Sequence, residues 1–212
     1  MRCVDNLSAI RDQTRMLVLG SASPRRAALL REMGRPFTVC VSDVPETPRP
    51  GEAPAAFARR AALDKGAAVA RLCAGAWVLA ADTVVAVDAE ILGKPRDDAD
   101  ARRMLRQLAD RRHDVLTGVA LFAPDGVCAE TVVVRTAVTF RALSDAEITA
   151  YVASGEPADK AGAYAIQGGA AGFVRAVVGS YSNVVGLPID EVRALLDRHR
   201  VPGGEAAAKG EA

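Results

Sequence analysis

Asp82 and Thr83 interrupt an otherwise apolar run, Trp77 to Val87. A carboxylate in a buried strand is costly unless it is paired, hydrogen-bonded or metal-bound, and Asp is a poor strand former. Its most economical place is the strand's end, facing a cleft, where it could bind a cation or act as a general base. The plain alternative is a structural Asp that receives backbone hydrogen bonds.

Ser21-Ala22-Ser23-Pro24-Arg25-Arg26 follows a short apolar stretch and opens a helix. A strand that feeds a helix through small residues points free N–H groups and the positive end of the helix dipole at one spot, which suits a phosphate. Two arginines in a first helical turn oppose the local dipole, and an anion resolves that conflict. An ordinary capped helix with solvated arginines explains the pattern equally well.

Lysine is scarce. Of 27 Lys and Arg residues only four are lysine: Lys65, Lys94, Lys160 and Lys209. A chain that uses Arg for generic positive charge keeps Lys where a compact ammonium is wanted. Lys94 sits in a constrained Gly-Lys-Pro turn and could serve as a point donor to phosphate. Lys65 falls on the polar face of a helix, where spacing alone favours a solvated side chain; Lys209 lies in the tail. Gln167 stands in Asp159–Gly168, a loop between glycines, where one amide can read a base edge.

Other chemistries lack material. There is no GxxxxGK[ST], HExxH or GxSxG, and Gly168–Gly172 has neither the spacing nor the context of a dinucleotide fingerprint. His113, which begins a strand, reads as structural, and His199, near the end of the last helix, as incidental.

The elements that must position these groups alternate. A strand at 16–19 precedes a helix from Pro24 to about Met33, capped by Ser23, and a strand at 37–41. A Pro-rich loop over 42–53 is long enough to suggest function. A helix from Pro54 to about Cys73, the Trp77–Val87 strand and a helix over 98–110 come next. Strands at 113–123 and 128–141 flank a Pro-Asp-Gly turn. Ser144 starts a capping-box helix; a Gly-rich loop at 155–172, a strand at 173–178 and a helix at 188–199 complete the chain. This order predicts an α/β fold with a mixed twisted sheet. It reads as one domain over 16–200, with a loose extension at 1–15 and a disordered tail at 201–212.

Composition, 50% hydrophobic and 25% charged, is that of a globular protein, and a net charge of +1 gives no general attraction to nucleic acid or anionic lipid. No apolar stretch reaches the ~18 residues a membrane span needs. Four scattered cysteines and no signal peptide fit free thiols in the cytoplasm.

These segments, taken in order over about 16–195, resemble the Maf family of nucleoside triphosphate pyrophosphatases. The likeness runs through Ser-x-Ser-Pro-Arg-Arg, Leu63-Asp64-Lys65-Gly66, Ala81-Asp82-Thr83, Gly93-Lys94-Pro95, His113 to Gly118, Asp159 to Gly168, and Gly179 to Pro188. Gly20, Ala80 and Pro45 depart from the usual pattern. The resemblance implies two lobes around an elongated mixed sheet, a nucleotide in the cleft, a divalent metal (Mg²⁺ or Mn²⁺), and hydrolysis between the α and β phosphates.

Carried over by position, Asp82 is the catalytic carboxylate, and Asp82 with Glu46 would hold the metal. Arg25, Thr83 and Gln167 match positions that tune substrate choice, and Ser21, Arg26, Lys65 and Lys94 match residues that bind substrate phosphates. Their identities resemble the branch that acts on dTTP and UTP in nucleotide housecleaning, not the branch preferring 7-methyl-GTP. The expected partner is a small-molecule nucleotide, with a homodimer left open. Family members are associated with inhibited septum formation, so a nucleotide-binding regulator without turnover is the rival reading.

Overall fold

The computed structural model describes residues 16–203; the proposed N-terminal extension and most of the proposed tail fall outside it. In chain order the elements are β1 (Leu17–Leu19), α1 (Pro24–Glu32), β2 (Phe37–Val39), α2 (Pro54–Leu72), β3 (Trp77–Val87) and β4 (Glu90–Leu92). They continue with α3 (Asp98–Leu108), β5 (Arg112–Phe122), β6 (Cys128–Phe140), α4 (Asp145–Ala153), β7 (Val174–Val178), α5 (Tyr181–Val185) and α6 (Ile189–Arg198).

The strands form one mixed sheet in the order β2-β1-β3-β5-β6-β7, with β4 paired to β3. β1 runs parallel to β2 and β3, and the remaining pairs are antiparallel. Alternate residues of β3 serve opposite faces, as a pleated strand requires. Leu79, Ala81, Val85 and Val87 join a large core with α1, α3, α4 and α6, while Val78, Val84 and Ala86 pack under α2.

Local signals set the boundaries. Ser23 caps α1, its hydroxyl accepting from the Arg26 N–H, with Pro24 at the first helical position. Ser144 and Glu147 form the full capping box of α4. Gly118 in β5 has no room for a Cβ, which would overlap the Ala58 backbone, so α2 lies directly on the sheet at this point.

Three expectations are corrected. Asp82 is the sixth of eleven residues in β3, not at its end. The 155–172 loop is largely 3₁₀ helix, at Glu156–Asp159, Ala161–Ala163 and Gly169–Phe173. α5 was not expected; Ser180 caps it by accepting from the Asn183 N–H.

The position of Asp82 has a topological cause. β1 pairs with residues 77–79 of β3, and β4 pairs with residues 85–87 on the same edge, while β5 covers the other edge. Residues 80–84 therefore have no strand partner on one side. The gap opens the sheet next to the C-terminal end of β1, where β1 leads into α1. Ligands of open α/β sheets bind at such places, where connections diverge to either side.

Candidate active site

A cleft of about 360 Å³ opens at this gap, within the range of small-molecule sites. Ser21, Arg25, Arg26, Glu46, Lys65, Asp82, Thr83, Lys94 and Gln167 all line it. Every site residue expected from the sequence is thus brought to one place.

Consecutive residues of β3 point to opposite faces, so Asp82 looks toward α2 and Thr83 toward α1. On the α2 side, Lys65 Nζ donates to Asp82 Oδ1 at 2.6 Å and pairs with Glu46 Oε1 at 2.9 Å. The Lys65 side chain is only 13% exposed, which corrects the expectation of a solvated helix face: α2 lies so close to the sheet that this face is roofed by the Glu46 loop. Arg60 holds that loop by donating to both Glu52 carboxylate oxygens at 2.7 Å and to the Thr47 carbonyl at 3.0 Å.

On the α1 side, Arg26 folds back toward the sheet. It donates to the Gly186 carbonyl at 2.8 Å, Ser21 Oγ at 3.1 Å and Thr83 Oγ1 at 2.9 Å. Thr83 bonds Thr117 Oγ1 at 2.9 Å, and Thr117 donates to the Asn183 carbonyl at 3.3 Å. Asn183, fully buried, donates from Nδ2 to the Val115 carbonyl and Thr136 Oγ1, both at 3.0 Å. A relay of hydroxyls across three strands thereby fixes one guanidinium at the cleft. Thr117 and Asn183 fall within the family-like segments His113–Gly118 and Gly179–Pro188, but their role in this relay is not readable from sequence, because it depends on contacts far along the chain.

The two carboxylates are pushed apart. Burial holds Asp82 above the usual carboxylate range, against the pull of Lys65 and Arg26, with Glu46 adding to the rise. Burial acts on Glu46 too, but the Lys65 hydrogen bond and charge, with Lys94 and Arg26, bring it below that range. Such divergence recurs both at acid–base sites and in structural ion pairs. A buried carboxylate with a raised pKa is a stronger base than a free one.

Among the described residues no group of three or more His, Cys, Asp or Glu is arranged as a metal cage. Asp82 and Glu46 nevertheless converge, since each places an oxygen within 3 Å of Lys65 Nζ. One or two carboxylates completed by phosphate oxygens and water is the usual donor set for Mg²⁺. The carboxylate chemistry of the pair suits such an ion, while the Lys65 ammonium occupies the point on which the two oxygens converge.

Gln167 lines the cleft, exposed, its amide without a hydrogen bond among the described residues. Lys160 also lines the cleft, paired with Asp159, its side chain 12% exposed. The scarcity of lysine could have singled it out, since three of the four lysines meet here. His113 is buried, bonded through Nε2 to Tyr164 Oη at 2.9 Å, and burial lowers its pKa to about 4, so it is a neutral structural group. His199 pairs with Glu130 and does not line the cleft.

A family model described as "Maf-like protein" matches residues 16–199. The chain is 57% identical over 191 residues to a dTTP/UTP pyrophosphatase of Myxococcus xanthus, covering 90% of this chain and 95% of that one. It is 56% identical over 178 residues to one from Geobacter sulfurreducens, covering 83% and 92%. A third, from Paramagnetospirillum magneticum, is 54% identical over 183 residues, covering 86% and 96%. With the match spanning the whole sheet and every residue of the cleft, the chain belongs to the Maf family.

Proposed function

We propose that this protein is a nucleoside triphosphate pyrophosphatase that hydrolyses dTTP and UTP to the monophosphate and pyrophosphate in the cytoplasm. The observation that carries the reading is the Asp82–Lys65–Glu46 cluster: a buried carboxylate of raised basicity beside a triphosphate-sized, cation-rich cleft. The names of the relatives supply the substrates. No helix among the described residues is long and apolar enough to cross a membrane.

Hydrolysis of a phosphoanhydride is mostly a matter of positioning and charge stabilisation. The α1 N-terminus, Ser21 and Arg26 bind phosphate oxygens, and Lys94 adds an exposed ammonium. Lys65 holds Asp82 in place and offers positive charge to the α-phosphate. Asp82 takes a proton from the attacking water as its oxygen bonds to the α-phosphorus, and the bond to the α–β bridging oxygen breaks to release pyrophosphate. A divalent cation held by Asp82 and Glu46 would polarise phosphate oxygens and lower the pKa of bound water. Arg25 and Gln167 face the nucleoside, and Thr83 contributes by fixing Arg26.

The rival is a nucleotide-binding regulator that holds the same nucleotide in this cleft without turnover. Incubation with UTP and Mg²⁺ or Mn²⁺ separates the two: an enzyme releases pyrophosphate and UMP in equal amounts, whereas binding without release contradicts the proposal.

A further inference from the structure

Gln167 sits at the tip of a tight turn, closed by the Gly168 N–H donating to the Ala165 carbonyl at 3.1 Å. A side chain that reads a base is only as selective as the backbone that aims it. Two residues outside the cleft hold this turn from behind. The Ala165 N–H, two residues before Gln167, donates to Tyr151 Oη at 3.1 Å. The Gly169 N–H, two residues after, donates to Glu156 Oε2 at 3.0 Å.

The fit is close. A Cβ on Gly168 would overlap the Glu156 carboxylate, so that carboxylate fills the space under the turn. Tyr151 belongs to α4, is 6% exposed, and packs edge-on against Phe173 at 5.2 Å. Burial, with the Glu156 charge beside it, pushes its phenol up to about 12, so it stays neutral. Neither Tyr151 nor Glu156 lines the cleft.

We propose that Tyr151 and Glu156 are positioning residues that set base selectivity by fixing the Gln167 turn from outside the cleft. Substrate touches neither; both act through Gln167. The proposal rests on Gln167 reading the pyrimidine edge, a dione that presents acceptor, donor and acceptor in UTP and differs in CTP.

The test measures kcat/KM for UTP and CTP in the wild type, Tyr151→Phe, Glu156→Ala, Glu156→Gln, Gln167→Ala and the Tyr151→Phe/Gln167→Ala double variant. Losing one turn-holding bond should lower the UTP:CTP ratio by about 5- to 10-fold in Tyr151→Phe and Glu156→Ala. Glu156→Gln keeps an acceptor and should stay within about two-fold of wild type. Adding Tyr151→Phe to Gln167→Ala should change the ratio no further, since both act through one side chain.

The ratio compares two substrates on the same molecules, so partial unfolding lowers both rates and leaves it in place. A ratio that falls only in Gln167→Ala overturns the positioning role and leaves base reading by Gln167 intact. A ratio unmoved in Gln167→Ala overturns that reading and the positioning role with it.

Discussion

Replacing Asp82 by Asn removes one charge and keeps shape, and its consequences for rate and for stability should separate. Asp82 is 5% exposed in the middle of β3. Loss of a general base or metal ligand here should reduce kcat at least ~100-fold, about 2.7 kcal/mol of barrier. Stability has two opposing contributions. An ionised carboxylate held above its normal pKa costs folding free energy at neutral pH, which Asn relieves. Lys65 loses an ionic partner, but the Asn oxygen still accepts from it and Glu46 remains 2.9 Å away. The two should cancel to within about 1 kcal/mol, or roughly 2–4 °C in Tm for a chain of this size. With less negative charge facing the triphosphate, UTP binding in the presence of a chelator should hold or tighten. Pyrophosphate release, thermal unfolding and calorimetric titration of UTP read the three quantities. A variant that keeps more than a tenth of wild-type kcat, with its Tm intact, would falsify the catalytic role of Asp82.

Other perturbations probe the surrounding construction. Lys65→Ala and Lys94→Ala should each reduce kcat/KM on UTP by at least about 10-fold, while Arg193→Ala, exposed on α6, should leave it unchanged; equal effects would make the lysine bias meaningless. His113 has a folded-state pKa of about 4, below the unfolded value of ~6.5. Only the unfolded chain gains this proton between those values, so stability should fall as pH drops from 6.5 to 4, by up to about 3 kcal/mol. Tm measured against pH should slope less over that window in His113→Leu, and an unchanged slope would remove His113 from the linkage. Gly118→Ala should push α2 off the sheet, costing about 1–3 kcal/mol and carrying Lys65 away from Asp82; full stability or full activity in this variant would contradict the close packing.

Elements with local signatures were legible in the sequence. Ser23-Pro24 and Ser144–Glu147 encode their caps within four residues, and the apolar run around Asp82 marks a buried strand. The cleft's polar residues were legible through the resemblance and through lysine scarcity. What sequence did not show was set by pairing between distant segments. Asp82 was expected at a strand end because a carboxylate inside a buried strand is costly and Asp is a poor strand former; the gap that accommodates it mid-strand exists only because β1 and β4 each cover one end of β3. Lys65 read as solvated because helical spacing says nothing about a loop folding over the helix. Tyr151 and Glu156 carry no local mark, and although Thr117 and Asn183 fall in family-like segments, the partner each of the four holds is brought near only by the fold.

Hydrolysis of pyrimidine-dione triphosphates between the α and β phosphates is the activity proposed for this cleft. It is tested most directly by kcat/KM for pyrophosphate release from UTP, dTTP, CTP, GTP and 7-methyl-GTP, with Mg²⁺ or Mn²⁺ present. UTP and dTTP should be turned over at similar rates and exceed CTP by roughly 5- to 150-fold, the effect of leaving a site group unpaired. Purines should be poorer still, because neither adenine nor guanine presents the acceptor–donor–acceptor edge that Gln167 would read. Release of orthophosphate in place of pyrophosphate, or 7-methyl-GTP turned over as well as UTP, would contradict it.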